Sequence, residues 1–190
     1  MELIAKLLTE AVEGEIAAEK RYRAFASQAD DAGYTGIAVL FRGLAQAEAV
    51  HITNHQQALK KNNSTPPDPA VNEKISRATV AENIAAAVAA ENEEITSMYP
   101  SFIKEIRSRH GRDFTARIAL LSLTWALEAE KSHLRLLKWA QKKVRQNQDI
   151  GFYSFYLCSV CGNLIHSEEI PDEICPVCGH DAHFYNKIPY

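Results

Sequence analysis

The sequence predicts an all-α protein: a four-helix bundle followed by a small four-cysteine metal-binding domain. Three observations carry this. Residues 3–146 hold four long segments with apolar residues at alternating four- and three-residue steps, the spacing of a helix face turned toward partner helices. A polar, Pro-rich stretch, Asn62-Asn63-Ser64-Thr65-Pro66-Pro67-Asp68-Pro69, divides those segments into two hairpins. All four cysteines lie after residue 157 in two CxxC pairs, where helical period gives way to Pro, Gly and aromatics. The expected domains are residues 1–147 and 156–190, linked by a short joint at Gln148–Phe155.

Each element has a sequence reason. The first helix breaks at Asp30-Asp31-Ala32-Gly33, a turn-type cluster, and the second runs to residue 61. The third opens at Thr79, which with Glu82 fits a capping box; a start near Val71 is the alternative. It should reach Arg109 with a bend near Pro100, which has no N–H to donate and clashes with the preceding turn. His110-Gly111-Arg112 ends it, and the fourth helix spans Asp113–Gln146.

Composition narrows the function. Hydrophobic residues at 46% support a packed core, and 21 basic against 24 acidic side chains leave no surplus to grip nucleic acid. The longest uncharged stretch, Ile150–Ser167, falls short of the ~20 apolar residues that cross a bilayer. Glu2, Glu10, Glu13 and Glu15 leave no apolar run for a secretory leader, so a cytoplasmic protein is expected. Neither GxGxxG nor GxxxxGK[ST] occurs, which argues against a nucleotide bound by this chain.

The helix faces hold the chemistry. The inward seams read Ile4, Leu8, Ala11, Glu15, Ala18, Tyr22, Phe25, Ala29; then Ile37, Phe41, Leu44, Glu48, His51, His55. The third continues Val80, Ile84, Ala87, Glu91, Glu94, Met98, and the fourth Ala119, Leu123, Ala126, Glu130, His133, Leu137, Ala140, Val144. Each apolar seam is interrupted by carboxylate. A buried carboxylate costs several kcal/mol unless it is paired or metal-bound, and no seam supplies Lys or Arg. Two divalent ions would offset most of five carboxylates, and two ferric ions leave room for a bridging oxide or hydroxide. Residues at i and i+3 share a helix face, so Glu48-x-x-His51, Glu130-x-x-His133 and Glu91-x-x-Glu94 are ligand pairs in form. Oxygen-rich donors suit iron or manganese better than zinc. His55 lies one turn beyond this layer, Tyr22 and Tyr99 read either as core tyrosines or as partners of ligand carboxylates, and Trp125 and Trp139 read as packing.

Cys158-Ser159-Val160-Cys161-Gly162 and Cys175-Pro176-Val177-Cys178-Gly179 turn four sulfurs toward one tetrahedral ion. Spacing alone leaves iron and zinc open. His166, His180 and His183 are surplus to four thiolates and read as surface residues.

Together, Glu15 with Arg21-Tyr22, Ala47-Glu48-Ala49-Val50-His51, Glu91-Asn92-Glu93-Glu94 followed by Met98-Tyr99-Pro100, Glu130-Lys131-Ser132-His133, and CxxCG…CPxCG closely resemble the rubrerythrin family. The resemblance implies a ferritin-like di-iron domain followed by a rubredoxin-like domain, with Glu15, Glu48, Glu91, Glu94, Glu130 and His133 as ligands. It implies His51 as the ligand one iron takes in place of Glu94 on reduction. Glu128, off the seam and with no His three residues on, is passed over for Glu130.

The implied function is a non-haem di-iron peroxidase reducing hydrogen peroxide to water in oxidative-stress defence. Glu94 is the expected proton carrier, and a rubredoxin-type iron–tetrathiolate centre (zinc being the alternative occupant) returns the electrons. The resemblance further implies NADH as ultimate donor through a separate reductase. It also implies a homodimer in which one subunit's cysteine domain serves the other's bundle. Two rivals are a ferroxidase that handles iron and a non-enzymatic module with a structural zinc ribbon.

Overall fold

The computed structural model describes residues 2–65, 75–111, 113–151 and 153–190. α1 (Glu2–Asp31) and α2 (Thr35–Lys61) form the first hairpin. α3 (Val80–Glu93), a π-helical turn (Glu94–Met98) and α4 (Tyr99–His110) make up the third rod, and α5 (Phe114–Val144) is the fourth. The Thr79–Glu82 capping box forms as the sequence predicts, each side chain satisfying the other's backbone N–H. Residues 66–69 of the linker, the alternative helix start at Val71, Arg112 and Phe152 lie outside the described residues.

The seams of α1, α2 and α5 are buried along their whole length. The third rod departs from its seam. The strict step places Met98 inward, whereas Met98 is half-buried and Tyr99, Phe102, Ile103 and Ile106 form the buried face. The cause is the π turn, which takes one more residue per turn than an α-helix and so rotates everything after Glu94 by one position. Pro100 follows at the start of α4, so the irregularity sits in the turn before the proline.

Every seam crosses the same layer. Ala18, Leu44, Ala87 and Leu137 belong to one apolar cluster, while Ala11, Ala58, Tyr99 and Ala126 belong to a second. Glu15, Glu48, Glu91 and Glu130 fall between them, so the bundle is two greasy halves around a polar waist.

The C-terminal unit is a three-stranded antiparallel sheet of β1 (Phe155–Cys158), β2 (Leu164–His166) and β3 (Tyr185–Lys187), with β1 central. It packs on α2 and α5. Phe155, Leu157, Leu164 and Ile188 join the first bundle cluster, and a side chain on Gly43 of α2 would meet Leu164 at 3.0 Å. The joint is fastened too: Asp149 accepts the Gly36 and Ile37 N–H groups at 2.7 and 3.1 Å, capping the start of α2. No helix among the described residues is long and apolar enough to cross a membrane.

Candidate metal centre

The waist brings together Glu15 from α1, Glu48 and His51 from α2, Glu91 from α3, and Glu130 and His133 from α5, each at most 1% exposed. Their donor atoms form two overlapping groups: Glu15, Glu48, His51 and Glu130, and Glu48, Glu91, Glu130 and His133. Glu48 and Glu130 belong to both. His51 Nδ1 lies 2.9 Å from Glu48 Oε2 and 2.8 Å from Glu130 Oε1. On the other side, His133 Nδ1 lies 2.6 Å from Glu130 Oε2 and 4.0 Å from Glu48 Oε1. Each of these two carboxylates therefore presents one oxygen to each half, as a bridge between two ions must. Donors held ~2.1 Å from one ion sit about 3 Å apart, close to the shorter spacings.

The histidine tautomers are fixed from outside the bundle. His51 Nε2 is 3.1 Å from the Cys161 carbonyl and His133 Nε2 is 2.9 Å from the Gly162 carbonyl. A carbonyl only accepts, so both Nε2 atoms carry the proton and both Nδ1 lone pairs face carboxylate oxygens. That juxtaposition is repulsive unless a cation or proton lies between. Glu15 Oε2, Glu48 Oε2, His51 Nδ1, Glu91 Oε2 and Glu130 Oε1 are all buried without a hydrogen-bond partner. Four carboxylates, two imidazole lone pairs and no Lys or Arg among them fit two divalent cations in charge and donor type.

Titration has the same cause. Burial pushes the carboxyls of Glu48 and Glu91 well above the usual range, and the Glu130 carboxylate pushes them further. Burial opposes charge on His51, yet Glu130 beside it keeps the ring's pKa well above its ordinary value. Glu15 is held below the usual range, because His51, His55 and Tyr99 together outweigh its burial. Without metal, protons stand where cations belong, and loading must expel them.

The waist is orientated by tyrosines. Tyr22 on α1 donates to Glu91 Oε1 at 2.6 Å, and Tyr99 on α4 donates to Glu15 Oε1. His55, whose pKa burial lowers to about 4, is neutral and bonds Ser122 at 2.7 Å and Tyr99 at 3.1 Å. Ser122, His55 and Tyr99 thus form a train of donors ending on Glu15. Glu94 joins neither ligand group; it sits half-buried at the head of the π turn. Glu128 pairs with Lys131 at 2.6 Å on the exposed face, so Glu130 is the inward carboxylate.

The second centre is local. The four cysteine sulfurs lie within 4.8 Å of one another, with Cys158–Cys178 at 3.7 Å and Cys161–Cys175 at 3.6 Å. Sulfurs around a tetrahedral ion at ~2.3 Å would be about 3.8 Å apart. Gly162 and Gly179 have φ of +80° and +72°, and the N–H of the residue after each, Asn163 and His180, reaches the sulfur of Cys161 and Cys178. His180 is less a surface residue than expected, since it is half-buried edge-on to Trp125; His166 and His183 are exposed.

Gly162 has a second duty that its CxxCG motif does not announce. A Cβ there would lie 2.4 Å from His51 Nε2, so only glycine lets the knuckle rest on the ligand ring. This contact is made within one chain. The Asp149 cap and the buried Phe155, Leu157, Leu164 and Ile188 hold it there.

Comparison with known proteins agrees with both centres. Residues 6–141 match the sequence family described as Rubrerythrin, and residues 156–186 match its rubredoxin-like domain. The chain belongs to the rubrerythrin family. It is 32% identical to Rubrerythrin-2 of Clostridium acetobutylicum over 93% of this chain and 92% of that one. It is 29% identical to Nigerythrin of Nitratidesulfovibrio vulgaris over 90% and 79% of the two chains. Among solved structures, nigerythrin in its fully reduced, all-ferrous state superposes with a TM-score of 0.83 at 28% identity, covering 97% of this chain and 86% of that one. The bacterioferritin BfrA of Mycobacterium tuberculosis, at 17% identity and a TM-score of 0.66 over 76% of this chain and 87% of that one, shares the ferritin-like fold alone. Rubrerythrin domains bind iron, and the chain carries donor sets for it in both units.

Proposed function

We propose that this member of the rubrerythrin family is a non-haem di-iron peroxidase that reduces hydrogen peroxide to water. One observation carries the reading: each imidazole of the waist donates a hydrogen bond to the backbone of the first cysteine knuckle. The path from Cys161 sulfur to the bundle donors crosses a few covalent bonds of Cys161, one hydrogen bond and one imidazole. A ferroxidase that stores iron has no use for such a supply, and a structural zinc ribbon would not need to touch two ligand rings.

When bound, ferrous iron would supply the two electrons and the Lewis acidity that reductive cleavage of peroxide requires. The protein supplies geometry and protons. Glu48 and Glu130 span the two halves of the waist; Glu15 with His51, and Glu91 with His133, close its ends. Tyr22 and Tyr99 hold the end carboxylates, leaving the oxygens opposite free to ligate. Burial, then the charges of Glu15 and Glu130, pushes the Glu94 carboxyl well above the usual range, which favours its protonated form. Outside both ligand groups and half-buried, Glu94 is placed to hand that proton to a leaving hydroxide.

Electrons enter through an iron–tetrathiolate centre from a separate reductase, with NADH as ultimate donor in a cytoplasmic setting. The test compares turnover of the iron-loaded chain with peroxide and with dioxygen under a common reductant. Faster consumption of peroxide is expected. Preference for dioxygen with iron retained as ferric product would overturn the reading in favour of ferroxidase.

A further inference from the structure

A buried strip of polar groups between α5 and the cysteine unit has no part in the chemistry above. Ser132 Oγ on α5 lies 2.7 Å from Asn163 Oδ1; Asn163 Nδ2 lies 3.0 Å from the Tyr185 hydroxyl and 3.8 Å from Cys175 Sγ. Tyr185 and Cys175 belong to the same buried cluster, and Ser132 Oγ also lies 2.7 Å from the Ala129 carbonyl. Ser132, Asn163, Tyr185 and Cys175 are 4%, 2%, 8% and 1% exposed, so water satisfies none of this network. An apolar side chain in place of Asn163 would avoid the cost of burying an amide, about 1–3 kcal/mol when unpaired, so the amide needs a use.

Proton counting fixes the direction. A thiolate ligand has no proton and can only accept. Asn163 Nδ2 therefore donates one proton to the Cys175 sulfur and the other to the Tyr185 oxygen, while Asn163 Oδ1 shares the single Ser132 proton with the Ala129 carbonyl. The chain of donors runs from the helix that carries His133 to one sulfur of the second centre.

We propose that the Ser132–Asn163 chain sets the reduction potential of the iron–tetrathiolate centre by stabilising charge on the Cys175 sulfur. The inference rests on iron being the metal of that centre. One-electron reduction takes a ferric ion with four thiolates from a net charge of −1 to −2, with no bond made or broken. Donors aimed at sulfur favour the more negative state and so raise the potential. Because the chain is anchored on α5, the potential is also tied to docking of the cysteine unit on its bundle. Asn163 is a positioning residue, acting through Cys175 rather than on substrate.

The experiment is an optical redox titration of the full chain, reconstituted with ferrous iron and read at the thiolate-to-ferric charge-transfer bands. Asn163→Leu removes the amide donor and should shift the one-electron equilibrium against reduction about threefold to tenfold, or roughly 30–60 mV at 59 mV per tenfold. Ser132→Ala, which loosens the amide without removing it, should shift it the same way but less. An unchanged potential in Asn163→Leu with intact charge-transfer bands overturns the proposal, and an unchanged potential in Ser132→Ala overturns it if Asn163→Leu fails to fold. Zinc in the protein as purified would overturn the functional reading alone, since the reconstituted chain still reports the potential.

Discussion

The two metal units are built by opposite strategies. The cysteine unit takes its donors from two short turns, each closed on its own backbone, with the Gly162 N–H bonded to the Cys158 carbonyl and the Gly179 N–H to the Cys175 carbonyl. The waist takes six donors from four rods, and beyond the Glu48–His51 and Glu130–His133 pairs none is near its partners until the rods pack. Soft sulfur donors on tight turns are organised by local backbone and by their own ion. Hard oxygen donors in an apolar interior are organised by the bundle, which must hold like charges together before any ion arrives.

The sharpest way to break this comparison is Glu130→Ala. It removes a carboxylate shared by both halves, so bundle iron should fall from about two ions per chain to near none, while the thiolate charge-transfer bands remain. Elemental analysis with a visible spectrum decides it; loss of both signals would mean that the units do not assemble independently. Cys161→Ala should act the other way round. Steady-state peroxide turnover with reductase should fall on the order of 100-fold, while a single turnover of pre-reduced chain survives.

Gly162→Ala probes the seam between the units. A positive φ costs a non-Gly residue about 1–2 kcal/mol, and the new methyl would collide with His51. The cysteine unit should undock at a total cost of about 3 kcal/mol, read as faster amide exchange in β1 and slower reduction of the bundle.

A pH series tests the waist alone. Glu48, Glu91, Glu94 and His51 have pKa values raised by folding, so the apo bundle holds more protons than the unfolded chain. Their contribution is fully present below their unfolded values and is lost as pH rises through the folded ones; Glu15, lowered, opposes this. Apo protein should therefore melt at progressively lower temperature from about pH 5 to 8, while metal-loaded protein should not. The smallest change is Tyr22→Phe, which removes one hydrogen bond to Glu91 and should weaken iron binding about five- to tenfold.

Much of this was legible because it is periodic or local. Glu15, Glu48, Glu91, Glu130 and His133 interrupt apolar seams at regular steps, and the knuckles are read from spacing alone. The regular step failed at Met98, where one extra residue in the π turn rotates the third rod; nothing in Glu-Ile-Thr-Ser-Met marks it. His55 was in phase, but its role needed Ser122 and Tyr99, which only packing supplies. Gly162, Asn163 and Asp149 were invisible for the same reason. Their partners, His51, Ser132 and the start of α2, lie far away in the chain.

The carbonyls that grip His51 and His133 belong to the same polypeptide as the rings. On the electron path proposed above, charge delivery is a first-order event inside one molecule. Diluting the loaded chain a thousandfold should leave the internal transfer rate where it was, and only the encounter with the reductase should slow.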